Sequence, residues 1–222
     1  MTLGLLGFGA LAWDEALHGA LYQYDFRVDA LMSRLDGDGW PIHLVGNVFS
    51  MPGFGPVDTL AVAVTATWLW RRGQRDLAVW CVVGGLAAWA LTDTLKPTFG
   101  RPLPPFIAQR FPHGYGFPSG HTMGATVTVG ILLFMATQSE ITLRRLGPAA
   151  AGAAWWRAVL WWTGISLSVG IARILAQHHW ASDVLGAWAL GVATVSAVLL
   201  LARVPRPVPE SPVISAPSPG AT

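Results

Sequence analysis

His179 and Asp183 stand four residues apart, and at the start of a helix that spacing puts both side chains on one face. A carboxylate there can hold one ring-nitrogen proton and leave the other nitrogen free to attack, with histidine itself as nucleophile. Arg173 ends the apolar run just before this pair and can fork two hydrogen bonds onto phosphate oxygens. His178 is a rival nucleophile, but the residue four positions after it is Ser182, so the spacing favours His179. Upstream, Pro118-Ser119-Gly120-His121 opens a second apolar run. Unpaired amides at a helix start favour an anion, and His121 is placed to protonate a leaving oxygen. A third group is Lys96-Pro97-Thr98-Phe99-Gly100-Arg101-Pro102, at the end of another apolar run. Lys96 is the chain's single lysine, with Asp93 three residues before it as a possible partner. All three groups suit the holding or attacking of a phosphate.

Each has a plainer reading. The 173–183 group could be a polar network that only braces a bundle. Pro-Ser-Gly-His could be an ordinary helix cap beside an interfacial histidine, and Lys96 could snorkel to headgroups.

The elements that must position these residues are apolar helices. Runs at about 59–70 (with a mixed lead from Phe54), 77–95, 117–138, 158–176 and 184–202 read as membrane spans. Residues 1–12 are apolar but stop at Asp14-Glu15, too short for a span and read as part of a sixth. The expected fold is all-α: a polytopic membrane helical bundle of five or six transmembrane helices. Residues 1–57 form an N-terminal partial span and an acidic interfacial segment holding Asp14, Glu15, Asp25, Asp29, Asp36 and Asp38. Trp40-Pro41 and Met51-Pro52-Gly53 are turn signals within it. Residues 58–202 form the membrane domain, and 203–222 a Pro/Ser-rich tail expected to be disordered.

Composition agrees with this placement. Of the 222 residues, 53% are hydrophobic and only 12% charged, about half the charged share of a soluble domain. Twelve tryptophans suit a headgroup boundary. Net charge is +2, and no basic stripe carries interleaved aromatics, which argues against a nucleic-acid partner. One cysteine, Cys81, excludes an internal disulfide, and no zinc-type Cys/His spacing occurs. Arg71, Arg72, Arg75, Arg144, Arg145, Arg157, Arg203 and Arg206 fall on one side if the spans alternate. Basic loops stay cytoplasmic, so the three phosphate groups face outward, to the periplasm or cell exterior.

In kind, order and placement the three groups resemble the type 2 phosphatidic acid phosphatase and vanadium haloperoxidase superfamily. That family's pattern is Lys-x6-Arg-Pro, Pro-Ser-Gly-His and Ser-Arg-x5-His-x3-Asp. Here the second motif is intact at 118–121, and the third reads Ala172-Arg173-x5-His179-x3-Asp183 with alanine for serine. The first departs: six residues on from Lys96 stands Leu103-Pro104, while Arg101-Pro102 comes after only four. Either Arg101 swings in to take the role, or the site has one cation fewer, a loss of about 1.5–3 kcal/mol of phosphate binding.

The resemblance implies that His179 forms a phosphohistidine, Asp183 orients it, and His121 protonates the leaving group and then activates water. It implies that Lys96, Arg173, Ser119 and the Gly120 backbone hold the phosphate oxygens, with no cofactor and no metal. The expected activity is an integral membrane phosphatase for a lipid phosphate or diphosphate in the cell (inner) membrane. A polyprenyl diphosphate such as undecaprenyl diphosphate comes first as substrate, and phosphatidic acid or phosphatidylglycerol phosphate second. A lipid phosphotransferase would use the same residues, and a non-catalytic lipid-phosphate binding or transport bundle is the remaining alternative. The soluble haloperoxidase branch does not fit the spans. His18, His43 and His113 read as surface or loop residues, His113 lying between two motifs.

Overall fold

The computed structural model describes residues 1–36, 40–138 and 148–202. The tail from 203, Asp38, Arg144 and Arg145 lie outside the described residues.

The chain folds as α1 (Thr2–Ala16), α2 (Ala20–Asp36), α3 (Trp40–Phe49), a 3₁₀ turn (Met51–Gly53), α4 (Gly55–Arg71), α5 (Arg75–Phe99), α6 (Pro105–Ala108), α7 (Gly120–Gln138), α8 (Pro148–Leu175) and α9 (Ala181–Ala202). Four described helices are long and apolar enough to cross a membrane: α5, α7 over 120–137, α8 over 152–175, and α9. The fold is the all-α membrane bundle that the apolar runs predict. Four runs begin earlier as helices than the hydropathy suggests, α4 at 55, α5 at 75, α8 at 148 and α9 at 181. α4 has 17 residues, about 26 Å of helix.

α7 is the axis of the bundle and packs against α4, α5, α8 and α9. Its residues Met123, Ala125, Val127, Ile131 and Met135 are fully buried. Apolar side chains on the outside, among them Leu86, Trp89, Leu160 and Trp161, are exposed, as a lipid-facing surface requires. Indoles satisfy backbone groups inside it: Trp162 Nε1 donates to the Thr126 carbonyl at 2.7 Å, and Trp188 Nε1 to that of Ser166 at 3.0 Å.

The N-terminal segment packs against the bundle. α1 lies along α9. A Cβ at Gly4 would come within 2.7 Å of the Ala189 carbonyl, so only glycine allows so close an approach. Glu15 and Asp25 are buried rather than solvated, because a cation from another part of the chain meets them (below). Trp40 opens α3, and Pro41 takes an early helical position, where its missing N–H costs nothing.

Candidate active site

Helix ends set the site. α5 runs past Lys96 and stops at Gly100, whose left-handed φ of 60° lets its amide close on the Lys96 carbonyl at 3.0 Å. The chain then turns inward at Arg101. α7 starts at a true cap: the Ser119 hydroxyl meets the Thr122 amide at 3.4 Å. α9 starts with Asp183 reaching back to the Trp180 amide at 3.0 Å, the acidic half of a capping box. The ends of α5 and α8 and the starts of α7 and α9 thus meet at one end of the bundle.

Between them is a cavity of about 530 Å³ whose walls include Lys96, His121, Arg173, His178 and His179. His179 Nδ1 lies 3.1 Å from Asp183 Oδ2, which leaves Nε2 as the nitrogen free of the carboxylate. Lys96 Nζ donates to the Tyr115 carbonyl at 2.9 Å, rather than being tied to Asp93 in the same helix. Arg173 NH1 reaches the Ser50 hydroxyl at 3.4 Å, and its Nε is buried without a partner. Phe54 packs on the His121 ring, with centroids 6.2 Å apart.

Burial lowers the His179 imidazole well below its usual value, and the charges of Lys96 and Arg173 push the same way. The Gly116 carbonyl opposes them. Desolvating a cation is the larger effect and favours the neutral ring, the form a nucleophile needs. His178 is pushed down to about 3, first by burial and then by Arg173.

Three expected residues stand elsewhere. Arg101 does not reach into the cavity as a substitute for the missing motif arginine. It is buried, with NH1 at 3.0 Å from Asp183 Oδ1 and 2.8 Å from Glu15 Oε2, and NH2 at 2.6 Å from Asp25 Oδ2. The reason is charge: three buried carboxylates hold it behind Asp183. Ser119 is fully buried, its hydroxyl 3.0 Å from that of Thr122 and its amide bonded to the Asp183 carbonyl at 3.1 Å. Gly120 faces a second cavity, where a Cβ would sit 3.5 Å from Thr92 and 3.8 Å from the Lys96 stem.

This second cavity is a groove of about 680 Å³ between α4, α5 and α7, mostly apolar and half open. His121 lines both cavities.

Glu15, Asp25, Ser50 and Tyr115 were invisible as site residues in the sequence. Asp25 bonds Ser182 across 157 positions, a pairing no local spacing can signal. His43, read as a surface residue, stacks on Phe106 at 4.1 Å, and its Nδ1 lies 3.1 Å from the Ala176 carbonyl. The His178 ring stacks in the same group at 6.3 Å, with its Nδ1 unpartnered. His178 thus faces the cavity without a carboxylate, whereas His179 has one.

Comparison with known proteins agrees with this fold. The chain is similar in structure to the first transmembrane PAP2 type phosphatidylglycerolphosphate phosphatase from Bacillus subtilis, with a TM-score of 0.71 and 21% sequence identity. The match covers 90% of this chain and 96% of that one. No curated protein matches the chain in sequence. The pattern of the PAP2 superfamily matches residues 77–206, more than half of the chain and all three phosphate motifs. A multi-pass helical membrane protein with these motifs at one end of its bundle, the chain belongs to the PAP2 superfamily.

Proposed function

We propose that this protein is a membrane phosphatase that removes phosphate from a lipid phosphate or diphosphate through a phosphohistidine. The observation that carries the reading is the meeting of His121, His179, Lys96 and Arg173 around one cavity, with Asp183 on the far side of His179.

The steps follow from the atoms. Nε2 of neutral His179 attacks the terminal phosphorus and forms an N–P bond, while the bond from that phosphorus to the leaving oxygen breaks (the ester oxygen of a monophosphate, the bridging oxygen of a diphosphate). His121 gives that oxygen a proton as it leaves. Water then attacks the phosphohistidine, His121 takes its proton, and inorganic phosphate departs with His179 restored. Lys96 and Arg173 offset the negative charge on the oxygens where it grows. Asp183 keeps the proton of His179 on Nδ1. Ser119 serves as the cap of α7, whose first turn brings His121 to the cavity wall.

The apolar groove beside His121 suits a lipid chain, since the leaving oxygen must lie against the same histidine that ends the groove. A polyprenyl diphosphate such as undecaprenyl diphosphate is the first substrate of this reading. Phosphatidic acid and phosphatidylglycerol phosphate follow, the structurally similar protein being a phosphatidylglycerolphosphate phosphatase. The site is proposed to face outward from the inner membrane. In support, Arg71, Arg72 and Arg75 cluster where α4 meets α5, at the other end of α5 from Lys96.

The assay is phosphate release in detergent from farnesyl diphosphate, phosphatidic acid and phosphatidylglycerol phosphate, with and without EDTA. Release that survives EDTA and disappears in His179→Ala is expected. No release from any of the three would leave a non-catalytic lipid-phosphate binder, a reading that Leu103 in the cavity wall supports. Phosphate appearing on an added lipid alcohol rather than in water would mark a transferase. For orientation, a cysteine at exposed His113 should react with an impermeant reagent on intact cells, and one at exposed Arg72 should not. The reverse pattern would turn the protein over.

A further inference from the structure

Arg101 is the most heavily paired side chain at the site, yet it does not line the substrate cavity. Its relative exposure is 3%. NH1 meets Glu15, Asp183 and the Ser182 hydroxyl, and NH2 meets Asp25. The rings of Tyr22 and Trp180 lie 5.0 Å and 5.4 Å from its central carbon. NH1 and NH2 are thus turned to protein oxygens, and Nε is buried without a hydrogen-bond partner.

Three of the four acidic and hydroxyl partners, Asp25, Ser182 and Asp183, are also linked to one another. Asp25 Oδ1 accepts from the Ser182 amide at 2.9 Å, and its Oδ2 accepts from the Ser182 hydroxyl. Ser182 immediately precedes Asp183 in the first turn of α9. Asp183 divides its two oxygens: Oδ2 serves His179 and the Trp180 amide, and Oδ1 serves Arg101. Asp183 is fully buried. A carboxylate so placed, with one oxygen unmatched, would take up a proton or turn away, and the His179 proton would no longer be confined to Nδ1.

Resting on the phosphatase reading, we infer that Arg101, Glu15 and Asp25 are positioning residues that fix the carboxylate of Asp183 and through it the tautomer of His179. The N-terminal helices α1 and α2 therefore complete the catalytic pair from behind. The earlier arginine of the Lys96 segment serves the nucleophile's carboxylate, not the substrate. Three acids around one guanidinium exceed what a simple tether for α1 and α2 needs, and two of the three contacts reach the first turn of α9 through Ser182 or Asp183.

The test uses the full chain in detergent with three variants: Arg101→Lys, Asp25→Asn and Glu15→Gln. Asp25→Asn and Glu15→Gln keep the native shape, so they carry the test if Arg101→Lys does not fold. Elution volume and melting temperature screen each variant for folding. Three measurements are made: steady-state kinetics (kcat and KM) on phosphatidic acid, inhibition by inorganic phosphate, and the His179 ring by ¹⁵N NMR. Expected are kcat losses on the order of tenfold or more, since small misplacements of a reacting group cost that much. KM and phosphate inhibition should stay within about twofold of wild type, the pattern of an interaction made only in the transition state. The His179 spectrum should change from a single Nδ1–H tautomer to a mixture.

A rise in KM and in the phosphate inhibition constant at unchanged kcat would make Arg101 a substrate ligand and overturn the inference. Folded variants with wild-type kcat and an unchanged His179 tautomer would reduce the network to a brace. If the wild-type chain releases no phosphate from any lipid, the phosphatase reading fails, and the NMR comparison still decides the inference.

Discussion

Nδ1 of His179 stands 3.1 Å from Oδ2 of Asp183, while the other carboxylate oxygen of Asp183 is held 3.0 Å from Arg101. The histidine is thus fixed through a chain of contacts that begins outside the cavity. Asp183→Asn puts an amide in this chain and can present a donor to Nδ1. We expect kcat to fall by about 10²–10⁴-fold, as when a histidine is held in the wrong tautomer. Phosphate release and acid-quench trapping of the phosphohistidine would check this, with near-normal turnover counting against Asp183 as the orienting group.

Gly116 leaves little room beside the same carboxylate. A Cβ there would lie 2.8 Å from Asp183 Oδ2. Gly116→Ala should displace the carboxylate and lower kcat on the order of tenfold or more, with the protein still folded. The measurement is turnover together with a melting curve.

The acid limb of activity follows from the direction of the His179 shift. Only the neutral ring attacks, and burial together with Lys96 and Arg173 moves its titration downward. As pH falls through 6.5, the ordinary histidine value, the ring stays neutral, and kcat/KM should hold; the loss comes at lower pH. His178, pushed down to about 3, adds no titration in the working range. An acid limb at or above 6.5 in kcat/KM would contradict the assignment of a neutral nucleophile.

Leu103 occupies the motif position where the family pattern has arginine, and it lines the cavity. Leu103→Arg offers a second guanidinium to the bound anion. Inhibition by inorganic phosphate should tighten about 10- to 100-fold, the equivalent of about 1.5–3 kcal/mol for a charge-assisted contact. An unchanged inhibition constant would mean that the position does not face the phosphate.

Ala63 is exposed on α4 within the apolar groove. Ala63→Trp should fill part of it, slowing release from a long-chain lipid phosphate while leaving a small soluble phosphate ester unaffected. Equal losses on both would show that the groove does not hold the chain.

The sequence by itself determined the membrane bundle and pointed to the groups proposed to react. Long apolar runs can bury their backbone polar groups in a bilayer only as helices, so span positions follow from composition. The 179–183 pair follows from the helical repeat, because both groups belong to one turn. The fate of Arg101 was decided by tertiary structure alone. Its spacing from Lys96 is compatible with facing the phosphate or turning away, and the choice depends on Glu15 and Asp25, which arrive from α1 and α2. In the sequence those acids look like a solvated face, since burial of a carboxylate is favourable only when a cation meets it, and that cation lies 76 residues beyond Asp25. Ser50 beside Arg173 and the Tyr115 carbonyl on Lys96 came into view the same way. Contacts within one helical turn are written in the chain, whereas contacts between distant segments exist only once the helices have packed.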